Sequence, residues 1–506
     1  MPMFIPRLLV ALLLCAGLAG CTLTPSMPTP DAEATLPDRY AAAGDTLLPD
    51  AARDTSASPA RAWWTAFGDS TLNTVVDSVL TSNRNLRTAR ARLEELAAQF
   101  RIARAPLFPS ATASGTRQYQ NTPANTGISG ALSEGSDDGT PGAPERQPTD
   151  RFAFTNYTAA LSVSYELDLW GRVRSQKNAA LSQFFASAAD VRATRLTVIS
   201  QAIATYFEIQ DLEAQERLAN DNVALLRERL ALTEDRYDRG LTPSFELYRV
   251  RQQVEQARAA QPDLRRRLHD AQTRLAVLLG RFAGSERTFL TDAATATPAL
   301  EPVPAGLPSD LLMQRPDVQA GAARLEATRQ QIGAARARLL PRLSLTTEGG
   351  TQSGELASLV DIDQRFVTFI TSLTAPIFQG GALRADVDAA EARYRQQVAT
   401  YEQTLLVAFR EVQAALVAYQ EQQRRYQRVL GQAEAAAASV QTQQRRYERG
   451  IGDYLALVDA EQNQVQVRQR LASATRAVMS ARLNLYRTLG GSWTETPSPD
   501  DPRLFQ

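Results

Sequence analysis

Apolar positions in this chain recur mostly three and four residues apart. Between Gly171 and Arg239 no proline intervenes, and Leu181, Phe184, Ala188 and Val191 fall on one face, which predicts a single helix. Roughly 69 residues rising 1.5 Å each make a rod about 100 Å long, and Arg384 to Arg449 predicts a second of nearly equal length. The segments that follow carry heptad spacing, in Leu264, Leu268, Ala271, Leu275 and Leu278, and again in Val478, Ala481 and Leu485, so antiparallel coiled-coil packing is expected. Elsewhere the period drops to two. Leu161, Val163, Tyr165, Leu167 and Leu169 alternate with Ser162, Ser164, Glu166 and Asp168, the pattern of a strand with one apolar and one wet face. Phe366 to Phe378 alternates less cleanly, and shorter strands are expected to begin at Pro109 and Pro341.

The pattern occurs twice. Tyr237-Asp238-Arg239-Gly240 recurs as Tyr447-Glu448-Arg449-Gly450, and Leu279-Gly280 as Leu489-Gly490, both at an offset of 210. Earlier in each half, Ala91-Arg92-Leu93-Glu94 matches Ala323-Arg324-Leu325-Glu326 and Pro109 matches Pro341, at an offset of 232. The 22 extra residues fall in the first half, where Arg117 to Asp150, rich in Gly, Ser, Pro, Asn and Asp, reads as an irregular loop. Each half then reads helix, strand, loop, strand, long helix, turn, long helix. The segmentation is a signal at 1–20, an N-terminal extended segment at 21–62, a first repeat at 63–280, a linker at 281–307, a second repeat at 308–491 and a tail at 492–506.

Composition narrows the chemistry. Basic and acidic residues balance at 55 each, so no overall field favours nucleic acid. Lys177 is the single lysine, which excludes a phosphate-loop NTPase and most Schiff-base enzymes, and one histidine with two cysteines leaves little for metal clusters or nucleophile triads. No enzyme, metal or cofactor is expected. At the N-terminus, Arg7 followed by the apolar run Leu8 to Ala16 reads as an export signal. It ends in Leu18-Ala19-Gly20-Cys21, which resembles the lipobox of bacterial lipoproteins, making Cys21 the expected acylation site. Beyond it no run of about twenty apolar residues occurs, so any bilayer crossing must use strands in a closed barrel. Four strands of about ten residues are long enough to cross but too few to close, which requires an oligomer.

With these elements in place, several motifs in order resemble one family: Trp63-Trp64 with Phe67 and Asp69, Tyr165-Glu166-Leu167-Asp168-Leu169-Trp170-Gly171-Arg172, Arg315-Pro316-Asp317-Val318, Ala375-Pro376-Ile377-Phe378-Gln379-Gly380-Gly381, and the turn from Tyr447 to Gln462. The chain is similar to the TolC-like outer-membrane factors of tripartite efflux, most of all their lipidated OprM-type branch. The resemblance implies a mainly helical fold with a membrane β-barrel: a homotrimer whose subunits each give four strands to a twelve-stranded barrel and whose long helices form a periplasmic tunnel. It implies residence in the outer membrane with a lipid anchor, partnership with a periplasmic adaptor and an inner-membrane pump, and passive conduction of multidrug-efflux substrates. A type I protein secretion duct and a non-channel periplasmic coiled-coil lipoprotein remain the alternatives.

Carried over residue by residue, the resemblance makes the two hairpin turns the adaptor-contact tip, with Arg239, Gly240, Arg449 and Gly450. Leu455 and Asp459, four apart on one helix face, match the residues that narrow the lumen. Tyr447 and Glu246 match positions that help hold neighbouring coils closed, although Glu stands where Asp is more usual.

Overall fold

The computed structural model describes residues 23–25, 62–123, 151–284 and 312–491. Among them are seven α-helices and four strands, in the order α1 (Ser70–Ser82), α2 (Arg84–Arg104), β1 (Ser110–Pro123), β2 (Arg151–Leu167), α3 (Arg172–Asp238), α4 (Ser244–Leu278), α5 (Pro316–Ala337), β3 (Arg342–Ser353), β4 (Arg365–Thr374), α6 (Ala382–Glu448) and α7 (Tyr454–Thr488). The two expected rods are α3 and α6, each of 67 residues, and the returning helices α4 and α7 have 35 residues each. The signal, Cys21, most of the 281–307 linker and the tail beyond 491 lie outside the described residues. The chain divides into two compact units, each drawing on both repeats.

One unit contains Ala98–Leu181 and Ala327–Tyr394 and carries the sheet. Its four strands are antiparallel in the order β1-β2-β3-β4. Cross-strand partners share a face, and the register Val163↔Thr347↔Phe369, Leu161↔Gly349↔Val367 and Leu167↔Leu343↔Leu373 gathers the apolar positions on one side. Ser162, Glu348 and Thr368 stand together on the other. Leu161, Val367, Phe369 and Leu373 are exposed, so the apolar face is bare in the single chain.

The expected loop from Arg117 is shorter than its composition suggests. β1 continues to Pro123 because its polar residues pair across to β2: Arg117 Nε donates to the Tyr157 hydroxyl at 3.2 Å, and Arg151 Nε donates to Asn121 Oδ1 at 2.8 Å. Pairing with β2 rather than overall polarity decided this segment. The last strand is also shorter than the span Phe366 to Phe378, ending at Thr374 just before Pro376, which has no N–H to give a ladder.

The Glu166 to Arg172 motif is the turn from strand to rod. Asp168 accepts the Val173 and Arg174 N–H groups at 3.0 and 2.8 Å, satisfying free donors at the start of α3. Trp170 Nε1 donates to the Pro341 carbonyl at 2.7 Å, tying this turn to the connection between α5 and β3, and Arg172 ion-pairs with Glu166 at 2.8 Å.

The second unit packs α1, the middle of α3 and α6, and the C-terminal halves of α4 and α7 around one core, in which Trp63, Phe67, Ile199, Ile203, Leu275 and Leu279 are buried. Ala271, Leu275, Val478 and Leu485 of the heptad stripes lie in it, as expected. Asp69 caps α1 through the Leu72 N–H at 3.0 Å and accepts the buried Tyr206 hydroxyl at 2.7 Å.

Shorter helices meet end to end. Asn83 Nδ2 and Ser82 Oγ donate to the last carbonyls of α4, Leu278 and Leu279, at 2.8 and 2.7 Å, just where α2 begins. In the second repeat Arg315, at the offset of 232 from Asn83, precedes α5 and donates to the Thr488 carbonyl ending α7 at 3.0 Å. Arg315 also pairs with Asp317 and Glu411, each at 2.8 Å. The Arg-Pro-Asp motif therefore does more than start a helix: it joins two.

Candidate functional site

Both long rods end in the same way, and for the same local reason. Gly240 and Gly450 sit at φ 72° and 70°, the left-handed conformation a residue with a Cβ resists. Gly240 and Leu241 donate to the Tyr237 and Arg236 carbonyls, both at 2.8 Å. Gly450 and Ile451 donate to those of Tyr447 and Arg446 at 2.9 and 3.0 Å. This double bond pattern closes the free carbonyls of a helix end. Arg239 is held by Asp235 one turn earlier at 2.8 Å, and both Arg239 and Arg449 are exposed. Pro243 precedes α4, and Asp453 caps α7 by accepting the Leu455 N–H at 3.2 Å. Leu241, Phe245, Tyr248 and Ile451 are exposed around the two turns, so the tip is apolar as well as charged.

Above the turns α3 lies between α4 and α7. Toward α4 it forms Glu234–Arg251 at 2.9 Å and Glu216–Arg265 at 3.1 Å; toward α7 it forms Asp211–Arg476 at 3.3 Å and Arg229–Asp459 at 2.8 Å. Glu228 accepts the Tyr454 hydroxyl at 3.0 Å. Burial, and then the Glu228 carboxylate, push that hydroxyl up to about 12, so it stays protonated.

Leu455 is half-buried and Asp459 exposed on α7. Glu246 pairs with Arg249 on its own helix at 3.6 Å, and Tyr447 packs its ring 5.3 Å from that of Tyr454. Tyr447, Tyr454, Leu455 and Asp459 thus belong to one stretch around the second turn, while Glu246 belongs to the first. Sequence reasoning missed Arg229, Glu228 and Tyr454. The repeat held a signal for Arg229: at the offset of 210 it corresponds to Ser439, and Asp459 corresponds to Arg249. Among the described residues no group of three or more His, Cys, Asp or Glu is placed to hold a metal ion, and no helix is long and apolar enough to cross a membrane.

A family model described as outer membrane efflux protein matches residues 75–281 and 307–491. The toluene efflux pump outer membrane protein TtgC of Pseudomonas putida is 33% identical over 486 residues, 94% of each chain. Outer membrane protein OprJ of Pseudomonas aeruginosa is 32% identical over 494 residues, 96% of each. The solved outer-membrane channel OprN matches with a TM-score of 0.79 and 28% identity, over 94% of this chain and 100% of that one.

Proposed function

The chain belongs to the outer membrane efflux protein family, and from that premise we propose that three copies form one passive exit duct, serving a periplasmic adaptor and an inner-membrane pump. One observation carries the reading. The sheet has a bare apolar face, a polar opposite face, and β1 and β4 as open edges. Four strands do not close a barrel; three copies supply twelve, joined β4 to β1, with the apolar face toward lipid and the polar face lining water. The long hairpins of α3 with α4 and of α6 with α7 then line a periplasmic tunnel, and their apolar and basic tip at Arg239, Gly240, Arg449 and Gly450 offers the surface that meets the adaptor.

The mature chain is anchored additionally by acyl groups on Cys21. Efflux of small apolar or amphipathic molecules is favoured over protein secretion by a relative named for toluene efflux. The protein moves these molecules without a chemical step, the driving force coming from the pump.

Leu455 and Asp459 narrow the tip, since threefold symmetry turns each into a ring. Full-length protein purified in detergent is expected to run as a trimer and to conduct in planar bilayers. Replacing both residues with Ala is expected to raise single-channel conductance several-fold in intact trimers. A trimer without conductance would favour a non-channel periplasmic coiled-coil lipoprotein, and equal conductance of wild type and double mutant would remove the constriction from Leu455 and Asp459.

A further inference from the structure

The carboxylate that the family resemblance matches to the constriction has a cationic partner. Arg229 Nη1 reaches Asp459 Oδ1 at 2.8 Å from α3, the neighbouring rod of the same chain. The two ends of the pair differ: the Arg229 side chain is 4% exposed and Asp459 is 64% exposed. Arg229 therefore projects a buried guanidinium toward a carboxylate that still faces open space. Its Nε is buried with no hydrogen-bond partner, and its ion pair is the one with Asp459 through Nη1.

The pair has no equivalent in the second repeat's own hairpin register. At the offset of 210 Arg229 corresponds to Ser439 and Asp459 to Arg249. The α6 rod thus carries no cation at the position of Arg229, and α4 carries a cation where α7 carries Asp459. Each partner differs in charge from its repeat counterpart, and the two touch across 230 positions of sequence.

From this geometry we infer that Arg229 is a specificity-determining residue of the duct: it supplies an in-chain countercharge to each Asp459, so the constriction presents three ion pairs instead of three free carboxylates. The inference rests on the proposed place of Asp459 at the narrowing. Three free carboxylates around an axis concentrate cations and exclude anions. Three ion pairs leave little net field, and ions, zwitterions and anionic amphiphiles pass on more equal terms. The pair is screened weakly on its buried side and strongly on its exposed side, so the effect is expected to be largest at low salt.

Reversal potentials of full-length trimers in planar bilayers under a KCl gradient test this. Wild type is expected to be weakly selective. Arg229→Gln is expected to raise the K+/Cl− permeability ratio about threefold or more, because it unmasks carboxylates at the constriction. Asp459→Asn is expected to shift the ratio toward chloride, the double variant to return near wild type, and Arg229→Lys to stay near wild type. If Asp459→Asn shifts selectivity while Arg229→Gln in trimers of normal size leaves it unchanged, Asp459 stands at the narrowing and the countercharge role is wrong. If neither Asp459→Asn nor the Leu455/Asp459 double substitution changes selectivity or conductance, the narrowing lies elsewhere and the underlying reading fails instead. Should Arg229→Gln not assemble, wild type and Asp459→Asn still decide: a weakly selective wild type that Asp459→Asn shifts toward chloride supports the countercharge, and a strongly cation-selective wild type overturns it.

Discussion

Two buried arginines in this chain have opposite surroundings and opposite expected roles. Arg482 is fully buried, with its guanidinium 5.8 and 5.6 Å from the centres of the Phe67 and Tyr486 rings, but its Nε and Nη1 have no hydrogen-bond partner. Unpaired buried donors cost about 1 to 3 kcal/mol each, which ring contacts of about 1 to 2 kcal/mol offset only in part. Arg482→Met, similar in volume, is expected to leave thermal stability unchanged or raise it; a loss above about 2 kcal/mol would reveal a buried acceptor such as a bound water. Arg315 is fully partnered, by Asp317, Glu411 and the Thr488 carbonyl. Arg315→Met is expected to destabilise by about 3 kcal/mol, because it leaves carboxylates and a helix end without their donor. The same network sets a pH dependence. Burial works to raise the Asp317 carboxyl, but the Arg315 bonds and charge and the Val318 N–H outweigh it and hold the group below its ordinary 3.8. A depressed carboxyl adds stability that is complete above pH 3.8 and is lost as pH falls through the folded-state value. Wild type and Asp317→Asn are therefore expected to converge in acid melts below that range; with Asp317 part-exposed, the gap at neutral pH is expected to be only about 1 kcal/mol.

At the level of elements, the 67-residue rods are flanked by shorter helices that must be fastened end to end. Asn83 does this twice over, donating to the Leu278 carbonyl and accepting the Leu86 N–H at 3.1 Å. Asn83→Ala is expected to cost about 2 kcal/mol by loss of a cap and a buried hydrogen bond. Gly280 in the same joint combines φ 66° with a Cβ direction aimed at the Ser82 carbonyl, whereas Gly240 at φ 72° faces open space. Gly240→Ala is expected to cost about 1 to 2 kcal/mol from left-handed backbone alone, and Gly280→Ala distinctly more. Parallel thermal melts of the two variants separate backbone strain from steric collision. Equal losses would show that the joint has room to move.

Across the whole molecule, the proposed twelve-stranded barrel assigns the apolar face of the sheet to lipid. Thr368 and Phe369 are adjacent in β4 yet point to opposite faces, Phe369 beside Thr347 and Thr368 beside Glu348. Phe369→Lys places a charge on the lipid side and is expected to cost about 2 to 4 kcal/mol per subunit near the bilayer midplane. Thr368→Lys, on the wet side and facing Glu348, is expected to be tolerated. The yield of heat-resistant trimer in outer-membrane fractions reads the difference. Similar yields for both would contradict the assignment of faces.

Much of this was legible in the chain itself because it depends on neighbours close in sequence. Three-four and two-residue periods put side chains on one face whatever lies opposite, so the rods, the strand faces and the repeat follow from spacing. Glycine at the two turns follows from backbone sterics within a few residues. Polarity misled at Arg117 to Pro123, where hydrogen bonds from β2 turn a loop-like composition into strand. The rest needed the tertiary structure. Which helix ends meet, why Arg315 has a second carboxylate, and why Asp459 has a cation all depend on residues 96 to 230 positions apart in sequence. Periodicity says that a helix has a buried face but not which helix covers it, and charges on separate rods find each other only once packing has fixed the rods side by side.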